Sequence, residues 1–554
     1  MMETKPYKVA LANPRDAQFP KEHYAVYEHL GLGLLAAVLR INGYQVGIYD
    51  ACAMDWSVDD IVDRVLTDSP DFFGITCTYK TYRDAVKVCK RIKASMKSVH
   101  IALGGEHATF ASEAILSRES AVDSVVRGEG EETIVELMDH LRKGRDLRGV
   151  KGIHYRVNGE IHGNPDRPAI EDLDSVPFAA RDTLEYCLRE RKTGAIGLIA
   201  TRGCRWSCSF CNASRFLRMG GGKAQRRRSP ENVVDEIEIL YHDYFSKGLH
   251  GIMYFYDAQF VESTKASKSW ARQFAENMIA KNIRVPFEIY ARVDSFSEKD
   301  AQLIDLLKQA GLVDVFLGLE SGSQETLDAF NKKATVQQNA EAVRLMEKYG
   351  INGATHGFIM FNPYISFQGI RDSARLLKNT GQASFWNMSQ KLQIFPGTQL
   401  VDDLKKEDLL LSDYSHTEVY KYRFKDPKVE PLAENLLELN GHPTSIRENS
   451  SVRYIRAMVN EIYTSAIRAG EFTGQLKQRM DCLKDNIQQE QCKICNLNYD
   501  FVLRSVALAE RGWERAKFEE LKNQYLDSMA LMLDSIDDSF RKFLIFVDSN
   551  VSNV

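Results

Sequence analysis

At 554 residues the chain has room for three or four domains. Its 72 Lys and Arg against 76 Asp and Glu leave a formal net charge of -4, poor footing for a general nucleic-acid binder. No apolar run approaches the roughly 20 residues needed to span a bilayer, and nothing near Met1 reads as a signal peptide. A cytoplasmic protein is expected, with neither a membrane nor a nucleic acid as partner.

The first third alternates strand and helix. An apolar strand is expected over Lys8–Ala12, then an amphipathic helix over Leu30–Asn42 stopped by Gly43, strand Gln45–Tyr49 and helix Val58–Leu66. Strand Phe72–Thr76 precedes helix Tyr82–Met96, and strand His100–Leu103 runs into Gly104-Gly105. Strand Ser124–Val126 runs into Gly128-Glu129-Gly130-Glu131 before helix Glu132–Arg142. Short strands separated by helices imply an α/β, doubly wound (Rossmann-like) parallel sheet over residues 1–145. Ligands of such sheets bind at the carboxyl ends of the strands. Gly104, Gly105 and Gly128 fall there. Residues 146–194 read as a connector with an Asn158-Gly159 hairpin.

A second alternating block covers residues 195–400. Its expected strands are Gly197–Thr201, Gly251–Tyr256, Phe287–Arg292, Val313–Leu319, Gly353–Met360 and Ser384–Ile394. Its helices are Pro230–Phe245, Lys268–Ala280, Glu298–Ala310, Val336–Tyr349 and Gly369–Asn379, with Ser229 as an N-cap before Pro230. This pattern fits a partial (β/α)6 barrel of the TIM type, whose chemistry sits at the carboxyl-terminal mouth. Residues 401–554 lose the alternation and read as a mostly α-helical domain, with helices over Ser450–Gly470, Tyr499–Tyr525 and Leu531–Phe546.

In a cytosolic chain, close-spaced cysteines point to metal or redox chemistry rather than disulfides. Cys204, Cys208 and Cys211 stand in CxxxCxxC spacing on a loop directly after the first barrel strand. Three thiolates that close together can wrap a compact iron–sulfur cluster and leave one iron open. The competing reading, a zinc loop, needs a fourth ligand and usually two separated pairs, and no such pair lies nearby. Cys492 and Cys495, with Cys482 upstream, lack a fourth ligand too, and helix packing is their default role. Arg226-Arg227-Arg228 reads as a solvated segment ahead of a helix.

The segment Cys204-Arg205-Trp206-Ser207-Cys208-Ser209-Phe210-Cys211 resembles the cluster loop of radical S-adenosylmethionine (SAM) enzymes, including Phe210 before the last cysteine. The resemblance implies that Cys204, Cys208 and Cys211 hold a [4Fe–4S] cluster whose open iron chelates SAM. SAM is then cleaved to methionine and a 5′-deoxyadenosyl radical. Gly318-Leu319-Glu320-Ser321-Gly322 is similar to another segment of that superfamily, making Glu320 or Ser321 a SAM contact. Ala291-Arg292-Val293-Asp294 matches a further one, making Arg292 a candidate for the SAM carboxylate. Gly357-Phe358-Ile359-Met360 and Phe395-Pro396-Gly397-Thr398 fit the fifth and sixth strand ends, and Asp257 is a weaker catalytic candidate.

Gly104-Gly105-Glu106-His107 and Arg127-Gly128-Glu129-Gly130 resemble the B12-binding domains fused ahead of radical SAM barrels. So does Gly74-Ile75-Thr76-Cys77-Thr78-Tyr79. The resemblance implies cobalamin contacts from Thr76, Thr78, Tyr79, Gly104, Gly105, His107, Gly128 and Glu129. A plain flavodoxin-like sheet with structural glycines is the competing reading. The Asp-x-His-x-x-Gly signature is absent, so the implied cobalamin is base-off with no histidine ligand.

The implied activity is methylation of an unactivated carbon, through methylcobalamin and the 5′-deoxyadenosyl radical, on a small natural-product intermediate or a peptide. A reducing partner such as flavodoxin or ferredoxin is implied as well. Three other outcomes stay open: a non-methylating rearrangement, cyclisation or oxidation; methylthiotransfer, for which Cys52, Cys77 and Cys89 would have to converge; and a non-catalytic cobalamin sensor.

Overall fold

The computed structural model describes residues 7–15, 27–190, 195–249, 251–353, 357–412, 419–449 and 474–550. Two compact units result: Met1–Phe316 with Met346–Asn352 and Gln393–Lys421, and Leu317–Leu345 with Gly353–Leu392 and Tyr422–Val554.

In the first unit the opening strand β1 (Lys8–Asn13) buries four successive residues, Val9 to Ala12, as a strand covered on both faces must. It lies between β2 (Gln45–Asp50) and β3 (Phe72–Thr76), followed by β4 (His100–Gly104) and β5 (Ser124–Val126), all parallel. The order β2-β1-β3-β4-β5 puts the switch in strand order between β1 and β3, next to the carboxyl end of β3. The Asn158-Gly159 hairpin is no free connector. Its strands β6 (Ile153–Val157) and β7 (Glu160–Gly163) extend this same sheet antiparallel to β5.

The second sheet has the order β13-β12-β11-β8, from β8 (Ala195–Leu198), β11 (Ile252–Phe255), β12 (Phe287–Arg292) and β13 (Leu312–Gly318). The expected strand Gly197–Thr201 stops at Leu198. Thr201–Gly203 (β9) instead pairs antiparallel with β10 (Gln225–Arg227). Of the expected fifth and sixth strands only isolated bridges appear among the described residues: Asn352, just before the fifth, pairs parallel with Asp314, and in the sixth Lys391 pairs parallel with Phe361 and Ile394 antiparallel with Tyr420. Ser384–Ile394 departs furthest from expectation, because Phe385–Ser389 is a helix. Ser384 caps it by accepting the Asn387 N–H at 3.2 Å, and Phe385, Met388 and Ser389 are buried at helical spacing.

The second unit carries two long helices, Gly474–Arg511 and Arg515–Asn550, broken at Gly512, whose φ of 109° no helix accommodates. The helix expected over Tyr499–Tyr525 is therefore split. That over Leu531–Phe546 lies inside the second long helix, and that over Ser450–Gly470 lies outside the described residues. No described helix is long and apolar enough to cross a membrane.

Glu448 is buried in this unit, accepting from the Phe385 N–H at 3.0 Å and from Asn498 Nδ2 at 2.9 Å. Asn498 also receives the Tyr525 hydroxyl at 2.9 Å. Burial pushes Glu448 from 4.5 up to about 7. The folded pKa lies above the unfolded one, so the cost of the buried carboxylate is absent below the lower value and grows as pH rises through the upper. Glu448→Gln is expected to raise the calorimetric melting temperature at pH 8 but hardly at pH 5, a gap worth up to about 3 kcal/mol. Equal shifts at both pH values would refute the buried charge.

Candidate active site

The cluster loop grows out of a ribbon that only glycine can close. Gly203 ends β9 with φ 92°, and a Cβ there would stand 2.2 Å from the Ala224 carbonyl oxygen. Beyond it Cys204, Cys208 and Cys211 are all partly exposed. The loop is pinned along its length. Arg218 donates to the Cys204 carbonyl, the Cys211 N–H to the Cys208 carbonyl at 3.1 Å, and the Leu400 N–H to the Ser209 carbonyl at 2.9 Å. Phe210 sits partly buried within the loop.

Gln259 is the hub beneath this loop, and it went unnoticed in the sequence. Its Oε1 lies 3.7 Å from Cys204 Sγ, and its Nε2 donates to Val261 O at 3.2 Å and to Ser295 Oγ at 3.3 Å. Its own carbonyl accepts from Thr201 Oγ1 at 3.1 Å and Gln225 Nε2 at 2.8 Å. A lone glutamine four residues past the end of β11 carries no pattern that marks it.

Arg292, at the end of β12, does come to the loop. Its Nη1 lies 4.0 Å from Cys208 Sγ, its Nε donates to Asp294 at 2.9 Å, and its guanidinium lies 4.1 Å from the Trp206 ring centroid. Arg205 lies 4.9 Å from the same ring, so Trp206 orients two cations beside the cysteines. Trp206 is the second residue that sequence reasoning passed over.

Asp257 has a different part from the catalytic one expected. It is buried, and its carboxylate accepts the Ala200 N–H at 3.1 Å and the Thr201 N–H, which tie down the chain between β8 and β9. Burial raises it to about 6. It positions the loop. Asp257→Ala would strand two buried amides. The expected result is a loss of about 2 kcal/mol in urea unfolding together with lower iron content per chain.

The basic run is not solvated. Arg226 and Arg228 are buried. Arg226 grips Glu129 through two bonds of 2.8 and 2.9 Å, and Arg202 reaches Glu129 at 3.2 Å and Glu131 at 2.5 Å. Glu129 also accepts the Ile170 N–H at 2.9 Å. Its carboxylate is thus engaged in an ion-pair cluster, not presented to a cofactor as expected.

The remaining N-terminal candidates gather at the carboxyl ends of β3, β4 and β5. A Cβ on Gly105 (φ 95°) would lie 2.8 Å from Thr76 Oγ1, whereas one on Gly104 meets nothing within 4 Å. Gly128 (φ 71°) donates its N–H to Thr109 Oγ1 at 3.1 Å. Thr78 is exposed, with its N–H on Thr81 Oγ1 at 3.0 Å, and Tyr79 donates to Gln393 at 3.0 Å and packs 5.4 Å from Phe395. His107 is buried, its ring 5.1 Å from that of Tyr82. The edge is thus glycine backbone and hydroxyls, open at Gly104.

Glu320 and Ser321 belong to the second unit. Glu320 adopts φ 61° and accepts from Lys332 at 2.6 Å. Ser321 is fully buried, its hydroxyl against Ser373 Oγ at 3.3 Å and accepting the Ser323 N–H at 3.1 Å. The Glu320 carboxylate is thus held by Lys332, and Ser321 braces the turn. Cys482, Cys492 and Cys495 lie on the helix Gly474–Arg511, the first two exposed. Among the described residues no three Cys, His, Asp or Glu side chains gather as ligands of one ion. Three thiols on one loop with a guanidinium beside the middle one suit a polynuclear cluster, which takes thiolate corners, better than a zinc ion, which takes four ligands.

Residues 23–138 match the B12 binding domain family, and residues 198–377 match the radical SAM superfamily. An uncharacterized methyltransferase of Pyrococcus horikoshii is 32% identical over 387 residues, covering 69% of this chain and 80% of its own. An anaerobic magnesium-protoporphyrin IX monomethyl ester cyclase of Rubrivivax gelatinosus is 33% identical over 329 residues, 57% of this chain and 56% of its own length. The chain therefore spans little more than half of that cyclase. The solved structure of OxsB, a cobalamin-dependent SAM radical enzyme, with aqua-cobalamin bound superposes with a TM-score of 0.70 at 18% identity over 98% of this chain and 81% of that one. The methyltransferase TsrM from Kitasatospora setae gives 0.57 at 19% identity over 73% and 75%. At such identities these two establish the shared fold. The two families together imply a [4Fe–4S] cluster, SAM and cobalamin, and with its cysteine loop and glycine-edged sheet the chain belongs to the B12-binding radical SAM enzymes.

Proposed function

We propose that the protein is a methyltransferase that places a methyl group on an unactivated carbon of a small natural-product intermediate or a peptide. The observation that carries this reading is that one compact unit holds both the three-cysteine loop and the glycine-edged strand ends. When bound, the cluster supplies the electron that cleaves SAM and cobalamin carries the methyl group. Cys204, Cys208 and Cys211 would hold three irons, and Arg292, beside Cys208, would orient the amino-acid end of SAM. Gly104, Gly105, Gly128, Thr76, Thr78 and Tyr79 would line the cobalamin face. With His107 buried against Tyr82, base-off binding without a histidine ligand is the state we infer. A flavodoxin or ferredoxin is the reducing partner we expect.

Relatives carrying methyltransferase names support the methyl outcome, among them a hopanoid C-3 methylase of Methylococcus capsulatus at 26% identity. The cyclase relative favours a second reading, closure or oxidation without methyl transfer. Methylthiotransfer has less support. Cys77 and Cys89 are fully buried, and burial pushes the Cys77 thiol up to about 12 and the Cys89 thiol up as well, which disfavours thiolate ligands. The test is reconstituted enzyme with methyl-labelled SAM and a candidate substrate. Label in a product heavier by one CH2 supports the proposal. An unlabelled product of changed hydrogen count sinks it in favour of the second reading.

A further inference from the structure

The proposed chemistry leaves one buried feature without a part, the four-charge cluster of Glu129, Glu131, Arg202 and Arg226. Arg202 and Arg226 are register partners across β9 and β10. Two like charges directly opposed on a ribbon repel one another. Both carboxylates that offset them come from another element, the turn after β5 and the first residue of the helix Glu131–Arg142. Arg202 bridges the two, with Nη1 3.2 Å from Glu129 and Nη2 2.5 Å from Glu131. Arg226 closes on Glu129 with both Nη atoms and donates to the Ile170 carbonyl at 2.6 Å.

All four side chains are at most 10% exposed. Burying ion pairs is a poor way to gain stability, since apolar packing of equal volume does as well or better. What a planar fork clamped on two carboxylates adds is a fixed register between the elements it joins. Those elements are specific ones. Gly128 stands next to Glu129 at the glycine edge, and Cys204 stands two residues beyond Arg202.

We propose that this cluster is a positioning lock: it fixes the Gly128 turn against the ribbon that carries Cys204, and so sets the separation of cobalamin from the iron–sulfur cluster. The inference rests on the proposed reading that those two places hold those cofactors. Arg202 and Arg226 are positioning residues here, acting through the elements they join.

The decisive variant is Arg202→Lys. It keeps the charge, but a single ammonium cannot fork onto both carboxylates. The holoenzyme, loaded with cluster and cobalamin and reduced until both are paramagnetic, is measured by pulsed electron paramagnetic resonance. The expected result is unchanged iron and cobalamin content with a broadened or displaced cobalt-to-cluster distance. Abortive SAM cleavage in the absence of substrate should change by about tenfold as the geometry slips. A distance distribution identical to that of wild type would overturn the lock. So would loss of cobalamin with iron retained, which marks direct contact instead. Should Arg202→Lys fail to fold, the paired variant Arg202→Met with Glu131→Gln, which removes one charge of each sign, decides by the same distance. A wild-type protein that takes up the cluster but no cobalamin would sink the underlying reading, and the lock with it.

Discussion

Replacing Cys204, Cys208 and Cys211 together by alanine is expected to take anaerobically reconstituted protein from about four irons per chain to none, and SAM cleavage below detection. The three thiols share one loop between β9 and the short helix Ala213–Phe216. Folding should survive. The three side chains are only partly buried, and bonds to the backbone carbonyls of Cys204, Cys208 and Ser209 pin the loop. The melting temperature of the apoprotein should therefore move little. Cys492→Ala with Cys495→Ala is the matched control. Those cysteines ride on the helix Gly474–Arg511, and their removal should leave iron and cleavage unchanged. Iron retained by the triple variant, or lost from the control, would place the cluster elsewhere in the chain.

These cysteines were legible because their spacing alone restricts what they can bind. The five parallel strands of the first sheet were legible for a related reason. Strands covered on both faces must be short apolar runs, and β1 to β5 are such runs set between amphipathic helices. The losses arose where the deciding partner lies far along the chain. Nothing local tells that Arg226 will meet Glu129 or that Asp257 will cap the amides of Ala200 and Thr201. The Ser384–Ile394 stretch is short and apolar, a pattern that fits a buried strand or a buried helix, and a serine cap decided it. The long helices from Gly474 were under-read because their polar faces dilute the apolar period, leaving Gly512 as the one clear stop.

Gly203→Ala is expected to disable the cluster while sparing the cobalamin face. Two costs coincide at this position. A φ of 92° is strained for any residue with a Cβ, at about 1–3 kcal/mol, and that Cβ would lie 2.2 Å from the Ala224 carbonyl oxygen. The obstacle is backbone, so no rotamer relieves it, and β9 must separate from β10. Cys204 is the next residue, so the loop loses its anchor and iron loading should fall severely. Gly221→Ala separates the two costs. Its φ is 85°, but a Cβ there meets nothing within 4 Å, so only the conformational cost of about 1 kcal/mol should appear and iron should stay. Gly105→Ala makes the reciprocal case, crowding Thr76 Oγ1 and the Cys77 carbonyl at the ends of β3 and β4. It should weaken cobalamin uptake and leave iron loading near wild type. Iron analysis and cobalamin absorbance on the three variants read both sites at once. If Gly203→Ala and Gly105→Ala lost both cofactors equally, the two faces would not be separately built, and the assignment of cluster to ribbon and corrin to strand ends would fail.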